Sequence, residues 1–231
     1  MKKIIPFLFF FSVQVQAQST DSLKIEGLGK FKLDITTVND FKNILKNKKY
    51  ILKTVRSDDE LKKYKNLNNY IIEILPAAES TPVASAYSTI CKNANIFHIP
   101  KIKIGDLDFE NIYFTFYNQR LSKIVFNNSL SIQAALKYQY GEPYEAKENK
   151  KLICYSDKNK TFNNDKVINV WSGGKNICST MNDAFYNDDC ELRTIYIGMI
   201  YIAGIDDIIK TCEDNEFEEL KQKRKKDLNG E

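Results

Sequence analysis

NIYFTFYNQRLSKIVFNNSLSIQAALKYQYGEP, residues 111–143, encodes a strand, a turn, a second strand and a capped helix in one uninterrupted run. Ile112, Phe114 and Phe116 alternate with Tyr113, Thr115 and Tyr117, the period of a pleated strand with one strongly apolar face. Asn118-Gln119 supplies a tight polar turn and Leu121 to Phe126 returns, so 111–126 is predicted to be a β-hairpin. Ser129 or Ser131 can then accept from the free N–H groups at the start of a helix. Ile132, Ala135, Leu136 and Tyr140 share one face of that helix, Gly141 ends it, and Pro143 blocks its continuation.

The same reading extends outward. Lys101 to Ile104 offers an earlier strand of the same sheet, and Tyr70 to Leu75 a compact one ended by Pro76. Phe31, Leu33 and Ile35 alternate with Lys32 and Asp34, which predicts a half-buried strand. Thr36 or Thr37 caps a helix carrying Val38, Phe41, Ile44 and Leu45. A basic stretch, Lys46 to Lys53, follows. Ser57-Asp58-Asp59-Glu60 has capping-box form and opens a short polar helix to about Asn66. Downstream, Leu152 to Tyr155 and Val167 to Trp171 read as strands bracketing a polar loop, and Leu192 to Ala203 is apolar enough for a central strand. A last helix starts near Asp206, with its acids first and Lys221 to Lys226 last, as the helix dipole favours. Strands follow strands directly, so the expected class is α+β, a mainly antiparallel sheet with a few flanking helices. No internal repeat is visible.

The first seventeen residues speak to location. Lys2-Lys3, the apolar run Ile4 to Phe11 and Val15-Gln16-Ala17 make a secretory signal with cleavage between Ala17 and Gln18. Ser12, Gln14 and Gln16 cut the apolar run far below the ~20 residues that span a bilayer. No Cys stands near the cleavage point, which argues against lipid-anchored export. Residues 18–231 are then expected to form a single α+β domain in the periplasm or outside the cell, without a transmembrane segment. The Ala-, Ser-, Thr- and Pro-rich residues 77–86 are its one possible sub-boundary.

Removing Lys2 and Lys3 leaves 32 basic against 30 acidic residues. That balance lacks the one-signed clustering of a nucleic-acid binder, so no nucleic-acid partner is expected. Five cysteines in an exported chain permit disulfides and leave at least one thiol over. Cys178 and Cys190 flank a stretch of Asn and Asp able to turn the chain back, and are the expected pair. Cys212 shares a helical face with Ile208 and Ile209, which suits a small buried residue. No two cysteines stand in the short pairs that hold zinc, and no metal ligand set or cofactor motif is present.

Candidate sites compete with simpler structural roles. His98, the only histidine, lies among hydrophobes with no catalytic signature around it, so a structural role is expected. Asp157-Lys158-Asn159-Lys160-Thr161 opens like a calcium loop, but Phe162 stands where Gly is needed and Ile168 where a bidentate Glu should close it. Asn187-Asp188-Asp189 is ordinary turn vocabulary. Glu142, Glu145 and Glu148 lie just past a helix end, where solvated charge is expected. Trp171 is read as core in preference to a stacking platform, though an exposed Trp171 would be a binding residue. Tyr113 and Tyr117, on the outward face of the hairpin, form an aromatic contact patch if nothing covers them. The expected function is therefore an exported, non-catalytic protein-binding module of the cell envelope or exterior, whose partner is another envelope or extracellular protein. The alternative is an exported hydrolase using carboxylates on glycan or peptide, which requires a cleft with two carboxyls, one of raised pKa. A third possibility gives the Lys221–Lys226 run an anionic-lipid surface to touch.

Overall fold

A computed structural model describes residues 24–56, 58–64, 67–75 and 89–229. The expected signal segment, its Ala17–Gln18 cleavage point and the 77–86 sub-boundary lie outside them. The elements in chain order are β1 (Gly27–Leu28), β2 (Phe31–Lys32), α1 (Val38–Lys46), β3 (Ile51–Val55), α2 (Asp58–Tyr64), β4 (Tyr70–Ile74), β5 (Ala94–Ile104), β6 (Leu107–Tyr117), β7 (Arg120–Asn127), α3 (Leu130–Tyr140), β8 (Tyr144–Ile153), β9 (Thr161–Gly173), β10 (Asn176–Tyr186), β11 (Leu192–Ile202) and α4 (Ile205–Asn229). Apart from the small β1–β2 pair, the strands form one nine-stranded sheet in the order β3-β4-β5-β6-β7-β11-β10-β9-β8. Only the β3–β4 pair is parallel. The described molecule is thus α+β in kind but dominated by its strands. Two antiparallel runs, β4 to β7 and β8 to β11, meet where β7 pairs with β11.

The predicted hairpin and helix form as their residues dictate. Asn118 and Gln119 take φ of 48° and 64°, the left-handed pair of a type I′ turn, and join β6 to β7. Ser129 caps α3 by accepting from the Ile132 N–H, and Gly141 at φ 78° ends it. Thr37 caps α1 in a reciprocal box, its hydroxyl accepting from the Asp40 N–H while the Asp40 carboxylate accepts from the Thr37 N–H.

The core lies on one face of the sheet, beneath α1 and α3. Phe41 of α1 sets its ring 4.9–5.3 Å from Phe97, Phe114 and Phe116, and Ile132, Leu136 and Tyr140 of α3 join the same cluster with Trp171, Cys178 and Ile200. Inward positions change parity in both β5 and β6: Phe97 and Ile99 give way to Ile102, and Phe109 to Ile112. Pro100, which has no N–H, and Asn111, at φ 48°, stand between these inward sets. The start of α4 reaches the opposite face, where Lys123 donates to Asp206 at 2.7 Å, and Cys212 of α4 is bonded to Cys91.

Several expectations change. The strand predicted through Ile35 stops at Lys32, because Asp34 turns at φ 60° and Ile35 stands exposed. Lys46 to Lys53 contains the start of β3, an edge strand exposed at four of its five residues, which hides the apolar signal. Residues 176–186 are a full strand, β10, so the chain turns back only at Asn187–Cys190. Cys212 is a disulfide partner, not a packed thiol.

Candidate functional site

The β9–β10 ladder runs from Gly173–Asn176 to Val167–Asn182 and stops there. β9 continues with β8 to the Thr161–Ile153 pair, and β10 with β11 to the Tyr186–Leu192 pair. The sheet therefore forks into two hairpins. Asp183 fills the crotch: its carboxylate accepts from Asn164 Nδ2 at 2.6 Å and from the Ala184 N–H at 2.8 Å, with Lys150 at 3.1 Å and Lys166 at 3.8 Å. Burial alone would raise the Asp183 pKa, but Lys150, the Ala184 amide and Asn164 outweigh it and hold the carboxyl below its usual range.

The two hairpin tips are rejoined by a disulfide between Cys154 and Cys190, Cα atoms 5.5 Å apart. Each tip is a short turn with its own polar fastening. Asp157 Oδ1 accepts from the Asn159 N–H at 3.1 Å, which makes the apparent calcium loop an Asx turn. Asn187 Oδ1 accepts from the Glu191 N–H at 2.8 Å, and Cys190 takes φ 58° to complete the second turn. On this fastened end Ile153, Tyr155, Phe162, Phe185 and Leu192 are all exposed, Tyr155 completely (100%). Between the tips lies a cavity of about 330 Å3, walled by Leu152 to Ser156 on one side and Phe185 to Asp188 on the other. Single exposed hydrophobes are ordinary on a protein surface. Register sets Ile153 on the opposite face from Phe162, and Leu192 on the opposite face from Phe185. Apolar and aromatic surface is therefore exposed on both faces of this end, the composition of a contact surface. Fully burying an exposed Leu, Ile or Phe side chain gains about 1.5–3 kcal/mol. Ile153, Phe162, Phe185 and Leu192 keep only 39–55% of their surface open, so covering each would add about 1 kcal/mol before the costs of association.

The residues singled out from sequence fall elsewhere. Trp171 is buried (3%), donates from Nε1 to the Gly141 carbonyl at 2.8 Å and packs on Tyr140. Tyr113 is buried (7%) and stacked on His98, their rings 4.4 Å apart on the sheet face away from the core. Tyr117 alone of the three keeps partial exposure, beside Ile208 and Cys212 of α4. Cys190 pairs with Cys154 and not with Cys178, because β10 carries Cys178 into the core, where it is a free thiol. His98 is fully buried in β5. Glu142, Glu145 and Glu148 pair with Lys137, Lys147 and Lys166. The sequence signals for the tips were Asp157–Thr161 and Asn187-Asp188-Asp189, which marked turns but not the apolar residues either side of them.

Comparison of the chain with known protein families, with curated proteins and with solved structures finds no match. Among the described residues no helix is long and apolar enough to cross a membrane, and two disulfides are present, both compatible with an exported protein.

Proposed function

We propose that this chain is an exported, non-catalytic protein-binding module of the periplasm or cell exterior, and that it docks on another envelope or extracellular protein through its two stapled hairpin tips. The observation that carries this reading is the exposed set Ile153, Tyr155, Phe162, Phe185 and Leu192 at the strand ends and tip that Cys154–Cys190 fastens together. A backbone already held by strand pairing and a disulfide loses little freedom on binding, which favours affinity. The chemistry of the patch asks for a partner with an apolar recess that takes the Tyr155 ring while leaving its hydroxyl a polar neighbour. The hydrolase alternative gains no support. Each described carboxyl whose titration is displaced, namely Glu26, Asp34, Asp40, Asp59, Glu145 and Asp183, is displaced downward, whereas a general acid needs the opposite.

The test uses tagged Gln18–Glu231 as bait against the organism's own envelope and medium, with crosslinking and mass spectrometry. Two variants run beside it: Tyr155→Ser/Phe162→Ser/Phe185→Ser at the tips, and Tyr138→Ser on the exposed face of α3. All three must unfold at similar temperatures. A partner retained by the wild type and by Tyr138→Ser but lost by the triple variant is the expected result. Equal recovery by the triple variant, or no specific partner after crosslinking, overturns the proposal.

A further inference from the structure

A second feature lies on the helix-covered face of the sheet and shares no residue with the tips. Register places Trp171, Cys178 and Ile200 side by side as an apolar row under α3. In the next row, Asn169–Thr180–Gly198–Phe126, and the one after it, Val167–Asn182–Tyr196, polar side chains enter the same face at Asn169, Thr180 and Asn182. Asn128 extends the second row, its N–H donating to the Tyr196 carbonyl. Above these rows α3 begins, so the sheet floors a cavity of about 480 Å3 whose wall includes Ser129 and Gln133.

The lining is uncharged but mixed, with Leu130, Val167 and Met181 apolar among polar side chains. Asn128, Gln133, Asn169 and Asn182 bring four carboxamides, Ser129 and Thr180 two hydroxyls, and Tyr196 the only ionisable side chain. Asn169 and Thr180 are buried (5% and 2%) and bonded to each other at 3.3 Å. The side-chain oxygen of Asn128 is buried without a hydrogen-bond partner among the described residues. Burying such groups costs about 1–3 kcal/mol each where they are not fully bonded, and Val or Leu would have extended the core at the same positions. A carboxamide both donates and accepts, as does a hydroxyl, so the lining matches a ligand that presents many neutral hydroxyls. Leu130 and Tyr196, both exposed at the mouth, supply apolar surface for its C–H faces. The only electrostatic bias is the fractional positive charge at the start of α3, which favours ligand oxygens.

We infer that this cavity binds a neutral saccharide of one or two sugar units, gripped by the side-chain amides of Asn128, Gln133, Asn169 and Asn182. The volume falls within the range of small-ligand sites. The absence of a charged lining residue sets this ligand apart from a sugar acid or amino sugar.

The experiment is an NMR titration of 15N-labelled Gln18–Glu231 with glucose, maltose, lactose and N,N′-diacetylchitobiose, and with glucuronate as the charged control. Asn182→Ala and the rim variant Tyr196→Ala follow, each first shown to keep the wild-type spectrum elsewhere. At least one neutral sugar should saturably shift the side-chain amide signals lining the cavity. Asn182→Ala should weaken that binding about tenfold, the loss of roughly 1.4 kcal/mol. No response from any neutral sugar, an undiminished response in both variants, tighter binding of glucuronate, or occupation by a neutral Asn- and Ser-containing peptide in place of the sugars would each overturn the inference. None of these outcomes touches the tip surface, so this site and the protein-binding proposal stand or fall separately.

Discussion

Gly198 carries no side chain because Phe126, directly across the β7–β11 ladder, lays its ring over that position. A methyl group there would overlap three atoms of the ring. Phe126 also meets Phe109 edge-on at 5.2 Å, so it has little room to retreat. Gly198→Ala should therefore destabilise the protein by about 1–3 kcal/mol, the range for overfilling a packed site, as read by urea unfolding. A change below about 0.5 kcal/mol would show that the ring can move aside. Cys178 gives a second test at this scale. Burial pushes its thiol up to about 12, far above its ordinary value. The unfolded chain releases that proton near pH 8.5 while the folded chain keeps it, so the folded state binds more protons and stability falls as pH rises through this window. The contribution approaches about 1.4 kcal/mol per pH unit. Tyr140, raised by burial to about 12, acts in the same direction above about pH 10. Unfolding free energies at pH 7, 9 and 10 should fall less steeply for Cys178→Ala than for the wild type; parallel slopes would show that the thiol does not contribute.

Elements differ in how far their sequence announces them, and the difference follows from where their determinants lie. The β6–β7 hairpin and α3 are legible because the turn, the alternation, Ser129 and Gly141 all fall inside the segment they shape. β10 is not. Thr180 and Asn182 face the polar cavity and Asp183 the crotch of the fork, so polar residues occupy both faces and no period emerges. The same residues that make the site interesting erase the strand from the sequence. Cysteine pairing is harder still, since Cys91 and Cys212 are 121 residues apart. The tips stayed hidden because Ile153, Phe162 and Phe185 look like core residues until the fork leaves them outside. α4 presents a simpler case. Beyond Leu220 its side chains from Lys221 to Leu228 are exposed all round. Truncation after Leu220 should alter the unfolding free energy by less than about 0.5 kcal/mol, as for other exposed segments. A loss above about 1 kcal/mol would show the tail to be docked. Unchanged partitioning of the truncated chain onto anionic vesicles would dismiss a lipid role for the basic run.

At the scale of the molecule, the two four-stranded runs repeat a plan that the sequence conceals. Each run ends in a central strand, β7 or β11, and each is followed by a helix, α3 or α4. Their inward residues share little, since the first run packs Phe97, Phe114 and Phe116 where the second offers Trp171, Cys178 and Thr180. Five register pairs, from Asn127–Ile197 to Lys123–Tyr201, form the seam between them. Division of labour follows: the first run carries most of the aromatic core, and the second carries the fork, the stapled tips and most of the polar floor.

The Cys91–Cys212 bond has a meaning beyond its own neighbourhood. It ties the first run to the helix that follows the second, while Cys154–Cys190 lies wholly within the second. Apart from the peptide chain between α3 and β8, it is the sole covalent link between the halves among the described residues. A protease that cut between Gly141 and Tyr144 would thus leave a two-chain molecule, zipped along the β7–β11 seam and fastened by one cystine. Such a nick would pass unseen in size and in shape. Reduction together with unfolding would part the two chains.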